Sequence, residues 1–478
     1  MPFNILIIGG GLGGLATATS LSQAGHKVTV LESTSKLQTI GGGITIPSNS
    51  LRCWDYLGLF QRLHEAAEAK APERRRFLRY TGEFVCDAGT REKLYKYQAI
   101  VVHRAPLQQL LVQAATEAGA LIKTNTRIVD IDESGNSPVA ITKDGQRIEA
   151  DLIIGADGAK STIRALLYPN VELKSEYNIY RAVIPGATFK ADPELAPLLD
   201  CSTIWWGPHR VIVGIPVQNG KYYSLECCHP GNTGTAGEWN KKGDINLMKD
   251  TYSDFEPIVA KMMELVKPDD LLVWKLNSLP KLESWVFRSG KVVLLGDSAH
   301  AMLPFSGQGH AMAIEDSICL AECLSRASST SDIPKALKMF ETIRKPRTSL
   351  ISAFGEGMAH TWQLPDGEEQ RQRDNRYRKT PYFGTTGWDG KHVDVLPGVP
   401  PDPLFFPYML AHDVVGFYWP PAKLERRTLG GLGLASIYRR RRTLGFSIDL
   451  MQESLHVVDN GSGGALATSL NFEGLATR

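Results

Sequence analysis

The sequence predicts an α/β fold in which a parallel sheet is interrupted by a mainly β region and followed by helices. Three observations predict it. Apolar runs at 5–8, 152–155 and 292–295 indicate buried strands, and each leads into a glycine-containing turn. Between the second and third runs, residues 177–279 alternate with the period of strands. Helical spacing follows the third turn and continues over 333–356.

The composition limits the classes of protein that fit. A chain of 478 residues is long enough for two domains with accessory segments. A net charge of +2 gives no electrostatic reason for a nucleic-acid partner. The seven cysteines contain no CxxC pair, so neither a disulfide framework nor a metal site is expected. No apolar stretch reaches the roughly 18–20 residues of a membrane span, and the first strand leaves no room for a signal peptide. We therefore expect a soluble, cytoplasmic protein.

The first glycine-rich turn has the spacing of a dinucleotide site. In Gly9-x-Gly11-x-x-Gly14, the first glycine permits a tight turn, the second lets backbone approach a pyrophosphate, and the third lets helix and strand pack closely. The helix that follows offers free N–H groups to phosphate. Glu32 ends a second strand, 27–31, where its carboxylate can accept hydrogen bonds from a ribose. The alternative is an ordinary strand–turn–helix with a surface glutamate.

Weaker signals follow before residue 110. Three glycines ending at Gly43 precede an apolar alternation, which suits either backbone close to a flat ligand or a plain loop. Arg104 lies just before Pro106 at the start of a predicted helix, where it can reach a phosphate or remain a solvated arginine. A helix is predicted over 51–69. Residues 74–97 are predicted to form strands of a second domain or an excursion beside the first.

The second and third turns each contain an aspartate. Asp157 follows the strand 152–155 and can bind a ribose hydroxyl or cap the next turn. Asp297 follows the third strand and can accept hydrogen bonds from sugar-alcohol hydroxyls. Gly307 and Gly309 then present backbone N–H groups before a helix. The later helix is predicted to break near Pro346.

Taken together, these motifs in this order resemble the single-component FAD-dependent aromatic hydroxylases, and the salicylate hydroxylase-like branch with its fungal natural-product enzymes is closest. The resemblance extends from residue 3 to about residue 419. It implies a Rossmann-type FAD-binding domain with an inserted mainly β substrate domain and C-terminal helices. The implied divisions are an FAD-binding domain at 1–176 with 280–360, a substrate domain at 177–279, a C-terminal segment at 361–419 packed on the core, and a disordered or atypical tail at 420–478.

The resemblance also implies roles for single residues. The opening motif matches the family's ADP-binding fingerprint, the Asp157 motif matches one associated with both FAD and NAD(P)H, and the Asp297 motif matches one that binds the ribityl chain and isoalloxazine. His310 is expected to act through its backbone near the flavin, in preference to side-chain acid–base chemistry. The implied cofactor contacts are, in chain order, Gly9, Gly11, Gly14, Glu32, Gly43, Arg104, Asp157, Asp297, Gly307, Gly309 and His310.

The activity implied by the resemblance is a monooxygenase reaction. NAD(P)H reduces FAD, the reduced flavin captures O2, and a flavin C4a-hydroperoxide hydroxylates an aromatic or other electron-rich small molecule, in secondary metabolism. Because no second GxGxxG occurs, NAD(P)H is expected to dock transiently near Asp157 and Arg164. The alternatives are a flavin dehydrogenase or oxidase without oxygen insertion, and a non-catalytic flavoprotein.

Arg181 is the catalytic residue that the resemblance implies. It falls where the fungal branch has an arginine on a substrate-facing strand, and a guanidinium suits a phenolate. The alternative is a salt-bridged strand arginine. The family often has a tyrosine immediately before the proline of the next-but-one strand, but Ile215 stands there and cannot exchange a proton. Either the substrate is less acidic than a phenol, or another group such as His209 or Tyr223 orients it.

Overall fold

The computed structural model describes residues 1–37, 43–67, 74–89, 95–231, 241–379, 393, 396–397 and 404–418. The strands are β1 (Asn4–Ile8), β2 (Lys27–Leu31), β3 (Gly43–Ile46), β4 (Arg74–Arg79), β5 (Phe84–Gly89), β6 (Ile100–His103), β7 (Leu121–Lys123), β8 (Ile128–Asp132), β9 (Val139–Thr142), β10 (Arg147–Glu149), β11 (Leu152–Gly155), β12 (Lys174–Pro185), β13 (Ser202–Gly207), β14 (Arg210–Val217), β15 (Tyr222–Pro230), β16 (Lys241–Lys242), β17 (Leu272–Ser278) and β18 (Val292–Leu294). The helices are α1 (Leu12–Gln23), α2 (Ser48–Tyr56), α3 (Phe60–Ala67), α4 (Arg104–Glu117), α5 (Thr162–Leu167), α6 (Gly186–Lys190), α7 (Ile245–Thr251), α8 (Pro257–Glu264), α9 (Asp297–His300), α10 (Gly309–Leu324), α11 (Ile333–Trp362), α12 (Glu368–Lys379), α13 (Phe405–Leu410) and α14 (Val414–Tyr418).

A five-stranded parallel sheet holds the three glycine-containing turns. Its strand order is β18-β11-β1-β2-β7, and every neighbouring pair is parallel. The central strands are buried along almost their whole length because helices cover both faces, which explains their unbroken apolar sequences. The predicted α/β fold with a parallel sheet is confirmed. Since the strands are parallel, the turns after β1, β11 and β18 all lie at one edge of the sheet.

An eight-stranded sheet forms the second layer, in the order β16-β17-β12-β15-β14-β13-β4-β5. Six of these strands follow one another from Lys174 to Ser278, as the strand-like period predicts, and all neighbouring pairs except β13 with β4 are antiparallel. Strands β4 and β5 come from the stretch before the insertion, so that stretch contributes to the second sheet. The division of the chain into domains at residues 176 and 279 stays a prediction.

Two helix predictions are corrected by the structure. Helix α11 continues through Pro346 as a 30-residue helix. A proline inside a helix costs about 3 kcal/mol, but buried Arg344 and Arg347 on either side form ion pairs with Glu315 that hold both halves in line. The helix predicted over 51–69 is two helices, α2 and α3, separated at Gly58 with its φ of 72°.

The C-terminal helices α12, α13 and α14 are present, as predicted. Phe405 of α13 packs against Phe354 of α11 with ring centroids 4.5 Å apart, so this segment belongs to a core shared with the second sheet. The predicted tail at 420–478 lies outside the described residues. Among the helices of the described ranges, none is both long and apolar enough to cross a membrane.

Candidate cofactor and substrate site

The turn after β1 is shaped by close packing on one side and open space on the other. Gly9 has a φ of +109°, and a Cβ there would lie 2.4 Å from the Ala156 oxygen. A Cβ on Gly14 would lie 2.1 Å from the Gly9 oxygen, whereas one on Gly11 would meet nothing within 4 Å. Helix α1 begins without an acidic residue in its first turn and without a side-chain cap. Its free N–H groups and the open space at Gly11 fit a diphosphate.

Glu32 is held beside this turn at the end of β2. Its Oε2 accepts a hydrogen bond from the Gly10 N–H at 2.7 Å, and its Oε1 accepts one from the Thr34 N–H at 2.7 Å. Oε1 also accepts a hydrogen bond from Ser33 Oγ at 3.2 Å, so of the roughly four acceptor positions of a carboxylate about one remains for a ribose hydroxyl. The position suits the predicted role, which stays a prediction.

Asp157 caps the turn before α5, which is the alternative that its sequence context left open. Its Oδ2 accepts a hydrogen bond from the Ile163 N–H at 3.2 Å, and its Oδ1 accepts one from Ser161 Oγ. Burial raises the pKa of the Asp157 carboxyl, although these hydrogen bonds act in the opposite direction. Buried Arg164 donates to the carbonyl oxygens of Ala159 and Ser298. Its guanidinium thus has little accessible surface for docking NAD(P)H.

A cavity of about 470 Å³ brings most of the predicted site residues together. It lies between the edge of the parallel sheet and one face of the second sheet, and its lining includes Gly43, Arg104, Arg181, Asp297, Gly307, Gly309 and His310. The remaining predicted residues lie at the adjoining sheet edge. Continuity along that edge is shown by the Leu295 N–H, which donates to the Gly155 oxygen at 2.9 Å, and by the Ala156 N–H, which donates to the Ile8 oxygen at 2.8 Å. Gly41 and Gly42 of the second glycine cluster lie outside the described residues.

The side chain of Arg104 lines the cavity and forms no hydrogen bond or ion pair with the part of the chain that the structure describes. Burial lowers the pKa of its guanidinium, as does nearby Arg181, while Asp297 and Glu226 act in the opposite direction. A partly buried cation without its own partner is costly unless something compensates it. The arrangement fits a ligand that supplies acceptor atoms or negative charge.

His310 is a second cavity residue whose polar atoms lack partners. Both ring nitrogens are shielded from solvent, and neither has a hydrogen-bond partner among the described residues. Burial, together with the nearby charge of Arg104, lowers the pKa of His310 to about 3, so the ring is neutral at pH 7. The ring packs 6.0 Å from Trp54. The predicted role for its backbone stays a prediction, and the unpartnered ring nitrogens are a feature that the sequence did not reveal.

Arg181 lies in the cavity lining and is also ion-paired, so its predicted catalytic role stays a prediction. It lines the cavity from β12, as expected for a substrate-facing strand. It is also ion-paired, with Nη2 3.3 Å from Glu226 Oε1 on the neighbouring strand, and it donates to the Gly43 oxygen at 3.0 Å. Its carbon Cζ lies 5.6 Å from the centre of the Trp274 ring. The guanidinium is therefore fixed in place before any ligand binds.

The residues considered as substitutes for the missing tyrosine do not line the cavity. Ile215 does line it, with no polar atom in its side chain. Tyr223 is fully buried on the other face of the sheet, where its ring packs 4.4 Å from Phe189. His209 lies in the turn between β13 and β14. The cavity residue that sequence reasoning missed is Glu226, because its pairing with Arg181 joins β12 to β15 across more than 40 residues of chain.

A buried ion network supports the third glycine turn. Glu315 accepts hydrogen bonds from Arg344 Nη1 and from Arg347 Nε, each at 2.7 Å, while Asp316 accepts from Arg344 Nε at 2.7 Å. Asn49 donates to both Glu315 Oε1, at 2.8 Å, and Gln308 Oε1, at 2.9 Å. Burial by itself raises the pKa of Glu315, but the two arginines hold that pKa well below its usual range. The network fixes Gln308 and with it the backbone between Gly307 and Gly309.

Known proteins resemble this chain in sequence and in fold. A family model described as "FAD binding domain" matches residues 3–354. The chain is 31% identical over 402 residues to the FAD-dependent monooxygenase atnJ of Arthrinium sp, covering 83% of this chain and 92% of that protein. It is 29% identical over 371 residues to a 3-hydroxybenzoate 6-hydroxylase of Klebsiella oxytoca, covering 76% and 90%. A solved salicylate hydroxylase substrate complex matches with a TM-score of 0.71 at 18% identity, covering 89% of this chain and 99% of that chain.

The chain therefore belongs to the family of proteins that carry this FAD-binding domain. The predicted FAD-binding fold, the cofactor FAD and the class of FAD-dependent monooxygenase are confirmed at the level of the family. The likeness to salicylate hydroxylase supports the fold alone. The open phosphate cradle at Gly11 and the unpartnered groups of Arg104 and His310 fit FAD. The contacts assigned to single residues stay predictions.

Proposed function

We propose that this protein uses NAD(P)H and O2 to hydroxylate an aromatic or other electron-rich small molecule, through the flavin hydroperoxide chemistry that FAD supplies in such enzymes, in secondary metabolism. The observation that carries the proposal is the shared cavity. One wall holds the predicted flavin contacts Asp297, Gly307 and Gly309, and the opposite wall is the mainly apolar face of the second sheet. A ring held against that face would lie beside the flavin.

The residues of this chain supply binding and shielding. The N–H groups at the start of α1 and Arg104 would hold the phosphates and flavin, and the backbone between Gly307 and Gly309 would border the flavin ring. Apolar side chains of the second sheet exclude water, which protects a reactive oxygen species from collapse. Arg181, already fixed by Gly43 and Glu226, would orient the substrate from the sheet.

The names of two relatives support an aromatic substrate. The proteins named 3-hydroxybenzoate 6-hydroxylase and 3-amino-4-hydroxybenzoate 2-monooxygenase, the latter from Streptomyces cremeus, act on aromatic rings by name. These names support an aromatic substrate for this chain. A cytoplasmic location is part of the proposal, because all seven cysteines are unpaired and buried, as in a reducing compartment.

The test is anaerobic reduction of the bound flavin by NADPH and by NADH, with and without a panel of phenols, followed by admission of ¹⁸O2. We expect reduction that a phenol accelerates, and a product that gains one labelled oxygen atom. Reoxidation without labelled product would instead indicate a dehydrogenase or oxidase. Absence of any reduction would indicate a non-catalytic flavoprotein.

A pair of arginine variants separates a site role from a structural one. Arg181→Gln removes a guanidinium that lines the cavity, and we expect substrate-stimulated NADPH oxidation to fall by about 10- to 100-fold, as for loss of a charge-assisted hydrogen bond. Arg210→Gln is the matched control, because Arg210 is also an ion-paired strand arginine but pairs with Asp254 outside the cavity lining. Equal loss in both variants would contradict a site role for Arg181.

A further inference from the structure

The face of the second sheet that lines the cavity is apolar around one ion pair. Its apolar lining residues include Ile179, Ile204, Val211, Val213, Ile215 and Trp274. Within that apolar surface stand the side chains of Arg181 and Glu226, directly opposite each other on β12 and β15. A ligand resting on this face meets both charges at once.

Of the other cationic residues that line the cavity, Arg104 begins α4 and is assigned above to the cofactor, while those on the second sheet are distant or turned away. Arg74 and Arg75 lie on β4, four strands from β12, and Arg74 is ion-paired with Asp87 at 3.3 Å. Lys275 lies between Trp274 and Leu276, which both pack in the core on the cavity side, so strand alternation directs its side chain to the opposite face. Arg181 is thus the cation that the second sheet itself presents beside such a ligand, and its charge is already balanced by Glu226.

Glu226 keeps an unused acceptor at the cavity. Its side chain is 24% exposed, and its Oε1 faces Arg181. Its Oε2 has no hydrogen-bond partner in the described part of the chain. In the sheet Glu226 pairs with Val213, and the same strand places Ile215, which has no polar side-chain atom, in the cavity lining. A carboxylate oxygen is therefore available in a part of the lining that is otherwise apolar.

We propose that Glu226 is the specificity-determining residue of this site and that the substrate is an uncharged, apolar ring molecule with a hydroxyl group. The Glu226 carboxylate accepts a hydrogen bond from that hydroxyl and repels substrates with a carboxylate on the ring. Unfavourable juxtaposition of like charges is an effective means of excluding ligands. This inference rests on the proposed function, since it identifies the substrate class of the same site.

The test compares methyl 3-hydroxybenzoate with 3-hydroxybenzoate, which share a ring and a hydroxyl and differ in charge. Binding to the FAD-loaded protein is measured by isothermal titration calorimetry, without NAD(P)H. We expect the ester to bind about 100-fold more tightly than the acid. Equal or tighter binding of the acid, or no binding of the ester at millimolar concentration, would overturn the proposal.

Two variants assign the preference to Glu226. Glu226→Gln removes the negative charge and keeps the shape, and we expect the ratio of the two affinities to fall to within about tenfold. Cys228→Ser changes a neighbouring cavity residue on the same strand and face without altering charge, and should leave the ratio unchanged. An unchanged ratio in Glu226→Gln would refute the role. Because binding is read without turnover, these results are independent of whether the enzyme inserts oxygen.

Discussion

Glu315 offers the sharpest test of what holds the cavity together. It accepts hydrogen bonds from Asn49, from Arg344 and twice from Arg347, with all three charged side chains fully buried. Glu315→Gln keeps the shape but offers one acceptor oxygen and places an amide N–H group against a guanidinium. Two charge-assisted hydrogen bonds, each of about 1.5–3 kcal/mol, are thereby lost.

The expected cost of Glu315→Gln is about 3–5 kcal/mol of unfolding free energy, the range for breaking a buried ion pair. Arg344 keeps Asp316 as a partner, and Arg347 keeps the carbonyl oxygens of Tyr408 and Met409, which prevents a larger loss. The measurement is equilibrium urea unfolding of the FAD-loaded protein at pH 7. Exposed Glu356 on α11 gives a matched control, since Glu356→Gln should change stability by less than about 0.5 kcal/mol.

The same variant has a defined pH dependence. The arginines hold the pKa of Glu315 in the folded state below its value in the unfolded chain. Its stabilising contribution is therefore complete above the unfolded pKa, about 4.3, and is lost as pH falls toward the folded pKa. The stability gap between wild type and Glu315→Gln should stay constant from pH 6 to 8 and narrow below about pH 4. A gap under 0.5 kcal/mol at pH 7 would refute the reasoning.

Three further outcomes follow from the site. Gly14→Ala puts a methyl group 2.1 Å from the Gly9 oxygen and should abolish stable FAD binding. Gly357→Ala is the control and should not alter FAD binding, because a Cβ there meets nothing within 4 Å. Release of flavin on dilution, followed by flavin fluorescence, measures both variants. Arg104→Gln should raise the Kd for FAD by about 10- to 100-fold, measured by flavin titration of the FAD-stripped protein, because an unpartnered cavity guanidinium is lost. The pKa of His310 is lowered to about 3, so between about pH 6.5 and 3 the unfolded chain binds a proton on this ring that the folded protein does not, and stability falls as pH decreases. His310→Phe should reduce this dependence of the unfolding free energy on pH, measured by urea unfolding. An unchanged pH dependence would contradict a buried neutral ring.

The glycine turns could be predicted from sequence because their causes are local. Gly9 and Gly14 are required by contacts within one strand–turn–helix unit and with the adjoining strand, and the packing distances account for the spacing of the motif. The strands over 177–279 can also be predicted from sequence, since the alternation of apolar and polar residues is recognised without knowing which strands pair with each other. Alternation does not determine strand order, so the sequence does not decide whether β4 and β5 join this sheet.

The charged pairs could not be predicted because their partners are distant in sequence. Arg181 and Glu226 are 45 residues apart, and Glu315 and Arg347 are 32 residues apart on two packed helices. The prediction of a helix break at Pro346 is wrong for the same reason. The sequence shows the backbone hydrogen bond that a proline removes, but it does not show the buried ion pairs that offset this cost.

These distant contacts connect the C-terminal segment to the flavin side of the cavity. Arg347 donates to the carbonyl oxygens of Tyr408 and Met409, each at 3.0 Å, and also binds Glu315. Glu315 in turn shares Asn49 with Gln308. All residues in this series of contacts are buried. Loss of α13 would therefore leave Arg347 without two of its acceptors, and the backbone around Gln308 would lose its support. Helix α13 therefore supports the site, although it contributes no predicted cofactor contact.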